Sequence, residues 1–444
     1  MSAEASTLVL GMNPQWFAGG LFALTYVLIM TERVNRAIIA LLAAGLMIFS
    51  GILTQETAGE GVDGNTIGLL IGMMVIVAIT KRSGLFQFLA VWSAKRVKAD
   101  PWGILVMLAI VTAVVSAFLD NVTTVLLVAP VTLLITEELK VSPYPYLFTQ
   151  IFASNIGGTA TLIGDPPNIM IGSAVGLTFN DFVVALAPII VVILFATLVP
   201  IYFIWGRKLH ADAHDRERVM RFDEREALTD IPLLRYCLVV LTAVLLAFVF
   251  SRPLHLEPAT IAMFGAALLL LLDTLRHHRD VHGEKVHSAF TEVEWVTIFF
   301  FIGLFIVVHG LDATGLLRDL ANWLVGVTGG DMTVTALAIL WVSAIASAVV
   351  DNIPFVATMI PLIKSMAPAF GGPDGLMPLW WSLSLGACLG GNGTLVGASA
   401  NLVVAGIAER AGQPIRFIAF TLAAFPLMLL SMVISTVYVY FRFL

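Results

Sequence analysis

Charge is scarce in this 444-residue chain. Asp, Glu, Lys and Arg together make up 12% of it, about half the roughly 25% usual for a soluble domain, and that excludes an ordinary water-soluble globule. No long Lys/Arg run occurs and the formal net charge is -6, so the chain lacks the electrostatic footprint of a nucleic-acid binder. Cysteine is nearly absent. Cys237 and Cys388 lie in separate apolar stretches and read as small core residues, with neither a disulfide framework nor a thiolate metal site between them. The opening stretch, MSAEASTLVLGMNPQW, has no basic segment ahead of its first apolar residues. No cleaved signal peptide is expected, and residue 1 stays in the mature protein.

What the chain has in abundance is apolar sequence: 59% by the AVILMFWYC count, with a mean hydropathy of +0.95. Runs of near 20 apolar residues recur from end to end, the mark of an all-α polytopic membrane protein. Charged breaks place spans near 16–30, 34–53, 66–80, 145–172, 180–205, 231–250, 257–273, 293–309, 378–408 and 416–441. Residues 101–138 and 332–369 are apolar for longer, yet each is interrupted at its middle, by Asp120-Asn121-Val122-Thr123-Thr124 and by Asp351-Asn352-Ile353-Pro354. At about 1.5 Å per residue, one helix of that length overshoots the bilayer. Two half-helices meeting at a tip, a re-entrant hairpin, fit instead.

The two stretches are copies. An offset of 231 carries Ser83-Gly84-Leu85 onto Thr314-Gly315-Leu316, Trp92 onto Trp323, Asp100 onto Asp331, Asp120-Asn121 onto Asp351-Asn352 and Pro130 onto Pro361. With an offset of 233, Gly158 lands on Gly391, Thr161-Leu162-Ile163-Gly164 on Thr394-Leu395-Val396-Gly397, and Asn168 on Asn401. The chain therefore divides into a first repeat, 1–205, with hairpin 101–138 and broken helix 145–172; a linker, 206–230; and a second repeat, 231–444, with hairpin 332–369 and broken helix 378–408.

Placing residues 31–36, 81–100, 139–143, 206–235, 274–290 and 409–416 in the cytoplasm puts 20 of the 24 Lys and Arg there, as the positive-inside rule asks. Both termini then lie outside. Five spans per copy, an odd number, invert the second repeat, and the hairpin tips approach the midplane from opposite faces, as in inverted-repeat secondary transporters. The linker reads as a solvated connector because its charges are mixed in sign. The loop at 276–287 gathers His277, His278, His282 and His287, but without cysteine or helical spacing it gives no metal site. Trp380-Trp381, Tyr438 and Tyr440 read as membrane-interface anchors.

Asp120 and Asp351 stand mid-membrane, where a carboxylate costs about 2.5 to 3.5 kcal/mol on insertion scales. Each can cap the half-helix that follows and still offer oxygens to Na⁺ or a proton. The second constellation runs Asn155-Ile-Gly-Gly-Thr159-Ala-Thr161-Leu-Ile-Gly164-Asp165-Pro166-Pro167-Asn168. The prolines remove two N–H donors, so the helix breaks and its freed groups need other partners. Its copy, Gly390-Gly-Asn392-Gly-Thr394-Leu-Val-Gly-Ala-Ser399-Ala-Asn401, keeps the hydroxyls and the Asn but has neither acid nor prolines. Charge breaks the symmetry at Asp165. No Lys or Arg occurs between Lys140 and Arg207 or between Lys364 and Arg410, so an anion bound at the broken spans is expected to find no fixed cationic side chain there.

These strings resemble the ion transporter superfamily, which includes the arsenite-efflux permeases, the pink-eyed-dilution (P) protein group, the NhaD-type sodium/proton antiporters and the divalent-anion/sodium symporters. Phe118-Leu119-Asp120-Asn121-Val122-Thr123-Thr124 and the 155–168 string are most similar to the P protein and arsenite-permease branch. The resemblance covers nearly the whole chain. It implies a scaffold and a mobile transport part, usually in a homodimer with elevator-like motion, in a bacterial inner membrane. It also implies a cytoplasmic ATPase partner if the cargo is of the arsenite type. The symporters' Ser-Asn-Thr hairpin signature places its Asn on Asn121 and Asn352, but Asp120 and Asp351 replace the Ser, Val122 and Ile353 replace the Thr, and Asp165 replaces a Thr. A dicarboxylate cargo is therefore disfavoured.

The resulting expectation is a secondary ion transporter, H⁺- or Na⁺-coupled, with arsenite and antimonite efflux as the favoured cargo. It has no catalytic residues and no cofactor beyond the coupling ion. Asp120, Asp165 and Asp351 take the coupling ion. Asn121, Thr123, Thr124, Asn155, Thr159, Thr161, Asn168, Asn352, Asn392, Thr394, Ser399 and Asn401 line the substrate site. A Na⁺/H⁺ antiporter and a channel-like conductance are the alternatives. An intramembrane aspartyl protease is opposed by the missing first Gly of its Gly-x-Gly-Asp signature at Leu162-Ile163-Gly164-Asp165 and by the repeat relation of Asp120 to Asp351.

Overall fold

In the computed structural model, residues 12–31 and 33–444 are described. The reading of residues 1–11 as free of a signal peptide falls outside them. Among the described residues, nine helices are long and apolar enough to cross a membrane, and two shorter apolar helices, Pro14–Met30 and Arg36–Phe49, join them.

The breaks fall where the polar groups interrupt the apolar runs. Pro101–Phe118 and Asn121–Glu138 form the first hairpin, and Met332–Val349 and Asn352–Ser365 form the second. Leu119 and Val350 turn extended at the two tips. Asp100 accepts from the Gly103 N–H at 2.8 Å and Asp331 from the Val334 N–H at 2.9 Å, so each ascending arm starts on the same cap. The broken spans are Tyr144–Thr159 with Pro166–Val175, and Met377–Gly390 with Ser399–Arg410. Helices of 26 residues, Phe179–Ile204 and Phe417–Arg442, close the two repeats.

Two 12-residue helices were not among the expected spans. Leu85–Arg96 and Leu316–Val327 are short helices leading into the hairpins, each started by a glycine in the left-handed region, Gly84 and Gly315, both at φ 79. Glycine adopts that conformation without steric cost. The second span is shorter than the 34–53 stretch: its helix ends at Phe49, and a separate turn of helix follows at Gln55–Glu60.

The helices pack as two groups. Arg36–Phe49 crosses Trp295–Ala313, and Gly64–Lys81 crosses Pro258–Leu275, with Pro14–Met30 and Ile231–Val249 alongside. Both crossings use a glycine at repeat-related positions: a Cβ on Gly72 would lie 2.6 Å from the Ala262 carbonyl carbon, and one on Gly303 would lie 2.6 Å from that of Ala40. Such close backbone approach is the usual packing device between helices in lipid. The hairpins, broken spans and 26-residue helices form the other group, each broken span packing on the ascending arm of its own hairpin.

Two readings need correction. Trp380 and Trp381 are buried at 1% and 4% exposure, so they are core residues, while Tyr440 stays exposed at 53%. The linker is not simply solvated. It carries a helix, Ala213–Met220, with Val219 and Asp215 buried, and it is tied to the foot of the first hairpin by Lys140–Asp215 at 3.0 Å and Arg218–Glu138 at 2.9 Å, and to the preceding helix Leu85–Arg96 by Lys95–Glu224. Mixed charge told of solvation on average but not of these particular partners.

Candidate functional site

The tips and the breaks converge because each descending hairpin arm packs on the second half of the other repeat's broken span: Asn121–Glu138 on Ser399–Arg410, and Asn352–Ser365 on Pro166–Val175. Asp120 caps its arm, accepting at 2.7 Å from the Thr123 N–H and at 2.5 Å from the Thr123 hydroxyl. Asp351 caps through the Ile353 N–H at 3.1 Å. Thr123 thus completes a cap.

The threonines of the broken spans hold the backbone. Thr161 donates to the Ala117 carbonyl, and its repeat mate Thr394 donates to Ala348 at 2.6 Å. Thr159 donates to the Asn155 carbonyl at 2.7 Å. Ser116 and Ser347 likewise cross-brace to the Ser154 and Ala387 carbonyls, both at 2.6 Å. Glycine lets the chain fold back on itself: a Cβ on Gly158 or on Gly164 would strike the other's backbone at 2.5 and 2.6 Å.

Amides fill the interior. Asn121 donates to Asn155 Oδ1 at 3.1 Å, and Asn155 donates to both Asn392 Oδ1 and Asn401 Oδ1 at 2.9 Å. Asn401 donates to the Gly391 and Thr394 carbonyls at 2.8 Å, and Asn168 does the same to Thr159 and Thr161 at 3.1 and 2.9 Å. Asn168 Oδ1 accepts from Ser384 at 2.6 Å and from the Cys388 thiol at 3.5 Å. Cys388, the repeat mate of Asn155, thus contacts the site as well as packing in the core. Buried Asn121 Oδ1, Thr124 Oγ1 and Asn392 Nδ2 have no hydrogen-bond partner among the described residues.

The three acids differ. Asp165 is 1% exposed, and its hydrogen-bond donor is the Asn352 amide, 3.4 Å from both oxygens. Asp120 has its cap alone. Asp351 has a cation: Arg36 Nη1 lies 2.9 Å from Asp351 Oδ2 and 2.7 Å from Ser399 Oγ, and Ser399 itself donates to Asp351 Oδ2 at 2.8 Å. This corrects the expectation that the site has no fixed guanidinium. Arg36 comes from the start of another helix, far from the intervals that the basic residues avoid. The charge break at 31–36 was the sequence signal near it, and it spoke for sidedness alone.

Two cavities flank this centre at opposite ends of Trp295–Ala313. One, of about 300 Å³, is lined by Arg36, Asp351, Ser399, Glu294, Phe300 and Val122 among others. The other, of about 370 Å³, is lined by Asp63, Ser173, His309, Asp312 and Lys364 among others. Of the expected site residues, Asp351 and Ser399 reach the wall of the first of these cavities and Thr123 that of a smaller one beside Glu294, while Asn155, Thr159, Asn168, Asn392 and Asn401 are sealed in the core between.

A citrate transporter family model, CitMHS, matches residues 26–386. The chain is 42% identical over 427 residues to an uncharacterized transporter of Mycobacterium bovis, spanning 95% of this chain and 97% of that one. It is 32% identical to an uncharacterized transporter of Synechocystis over 96% of this chain and 97% of that one. The P protein of Sus scrofa is 33% identical over 95% of this chain, which spans 58% of that longer protein. The crystal structure of the Alcanivorax borkumensis YdaH transporter, described as having an unusual topology, matches with a TM-score of 0.58 at 15% identity, over 96% of this chain and 97% of that one. At that identity the match speaks for the fold.

Proposed function

The chain belongs to the citrate transporter family, and from that premise we propose that it is a secondary active transporter in which a proton carried by Asp165 drives an anion across the membrane by alternating access. The observation that carries this reading is Asp165 itself: a carboxyl group sealed from water, with an amide as its donor. A charge held there without a counter-ion is costly, and taking up and releasing a proton relieves that cost at each half-cycle. Asp165 belongs to the first repeat, and Asn352 to the tip of the second hairpin, so protonation changes the contact between the two.

Alternating access has its supports in the paired cavities and in the repeats, whose odd span count opposes their orientations. The cargo is an oxyacid species, with arsenite and citrate as the two to be compared first. The chain sits in a bacterial inner membrane as a homodimer, with the Lys/Arg-rich loops in the cytoplasm.

A second reading, Na⁺/H⁺ exchange with no other cargo, is favoured by Asn121 Oδ1 and Thr124 Oγ1, buried oxygens without donors just after Asp120. One experiment tests both. Proteoliposomes are given a pH gradient and then arsenite, citrate or Na⁺, with wild-type protein and Asp165→Asn. Proton-driven uptake of arsenite or citrate, lost in Asp165→Asn, supports the first reading. Collapse of the gradient by Na⁺ alone supports the second. Full pH-driven flux in Asp165→Asn overturns the role given to Asp165.

A further inference from the structure

We propose that Arg36 is an anion-binding residue whose guanidinium is held, when no cargo is bound, by Asp351 acting as an internal anion, so that a carboxylate or similar monoanionic oxyanion takes Arg36 as Asp351 takes a proton. This deepens the transporter reading and rests on it.

The geometry is that of an occupied anion site. Arg36 Nη1 reaches Asp351 Oδ2 at 2.9 Å and Ser399 Oγ at 2.7 Å, Nη2 lies 3.4 Å from the Thr297 hydroxyl, and the guanidinium stacks over the Phe300 ring at 5.0 Å. A planar fork of donors backed by an aromatic face suits a carboxylate. Here the carboxylate is the protein's own. The site is not sealed: the Arg36 side chain keeps 26% of its surface exposed on the wall of the 300 Å³ cavity, beside Ser399. Ser399 begins a helix whose N-cap, Ala398, offers no side-chain acceptor, so the first N–H groups of that helix add to the pull on an anion.

The repeat makes the site one-sided. The mate of Ala398 is Asp165, an acid, and the mate of Asp351 is Asp120, whose oxygens bond to Thr123 and, among the described residues, to no basic side chain. The first repeat therefore presents a proton carrier where the second presents an anion receptor.

The charges balance only if a proton moves. Asp351 and Arg36 sum to zero. If an anion takes Arg36 and Asp351 stays ionised, a largely buried carboxylate is left without its cation. If one proton from the cavity water binds an Asp351 oxygen as the anion arrives, the sum stays at zero. The other charged or titratable groups that bear on Asp351 are unchanged by that exchange. They are Glu294 at the start of Trp295–Ala313, on the same cavity wall, Tyr26 of Pro14–Met30, which bonds to the Pro354 carbonyl and lies 2.9 Å from Thr358, and Asp165 across Asn352, which Asp120 at the other tip faces in turn. Glu294 on the same wall disfavours a second carboxylate at Arg36, so Arg36 takes one carboxylate group at a time and the other charged groups of a larger anion stay in the cavity water.

The test is calorimetric titration of citrate, as a probe carboxylate, into the purified full-length protein at pH 7 in two buffers of different ionisation enthalpy. This counts protons taken up per citrate. Wild type is expected to take up one proton more than Asp351→Asn, a difference that cancels citrate's own protonation. Asp351→Asn binds at least as tightly as wild type, and Arg36→Gln binds at least about tenfold more weakly, with Arg36→Lys between. Equal proton uptake by wild type and Asp351→Asn, unchanged affinity in Arg36→Gln, or no citrate binding by either wild type or Asp351→Asn overturns the proposal. If Asp351→Asn does not fold, Ser399→Ala takes its place beside Arg36→Gln, with weakened binding expected and undiminished binding contradictory. Asp165-dependent flux that persists alongside normal binding by Arg36→Gln ends this inference and leaves the transporter reading standing.

Discussion

Asn155 and Asn401 lie 246 residues apart in sequence, yet the Asn155 amide donates to Asn401 Oδ1 at 2.9 Å and to Asn392 Oδ1 at the same distance, joining the breaks of the two repeats through one side chain. Asn155→Ala strands three buried groups at once, the Asn392 and Asn401 acceptors and the Asn121 donor. A loss of about 1–3 kcal/mol for each unsatisfied group is expected. The thermal midpoint of the purified protein should fall and flux should fall with it. An unchanged midpoint would show that the amide network is not structural.

The crossing of Gly72 on Ala262 and that of Gly303 on Ala40 are repeat mates with the same 2.6 Å clearance for an added Cβ. Gly72→Val and Gly303→Val are therefore expected to destabilise by similar amounts, about 1–3 kcal/mol each for overpacking, whereas Gly20→Ala, which meets nothing within 4 Å, leaves the melting curve in place. Thermal unfolding in detergent reads all three.

The linker clamps the foot of the first hairpin, and the helix before it, by charge. The Lys140 ammonium beside Asp215 holds its carboxyl below its usual range, and the hydrogen bond from Lys95 does the same for Glu224. Groups with lowered folded values stabilise docking above the ordinary carboxylate range and lose that effect as the pH falls through the folded values. Hydrogen exchange in Ala213–Met220, corrected for its intrinsic pH dependence, should stay slow from neutral pH to about 5 and quicken below about 4. Lys140→Ala should quicken it at neutral pH.

Much of this architecture is legible in the sequence because lipid leaves backbone groups few options. A polar tetrad in the middle of an apolar stretch has to be a break, so the hairpin tips fall at Asp120 and Asp351, and the proline pair at 166 and 167 marks where the first broken span resumes as helix. The repeat, read from gap-free offsets, reappears in paired caps, paired glycines and paired threonine braces. Contacts between distant elements carried no such signal. Arg36 reaches Asp351 across 315 residues, and nothing in its own neighbourhood announces the partner. Trp380 and Trp381 sit near a span end, where an interface anchor and a core residue look alike in one dimension. The threonines at 159, 161 and 394 read as cavity lining because a hydroxyl in a broken helix has two uses, and the structure bonds each to a carbonyl.

The measurement that bears most directly on alternating access is side-specific labelling of single cysteines in sealed vesicles, at Val403 on the wall of the first cavity and at Ala174 on the wall of the second. The native Cys237 and Cys388 are buried and give the background. Val403→Cys should react with an impermeant maleimide from the cytoplasmic side and Ala174→Cys from the opposite side. A shift in pH gradient or cargo that raises one rate should lower the other. Rates that rise and fall together, or both cysteines reacting from one side, would contradict the account.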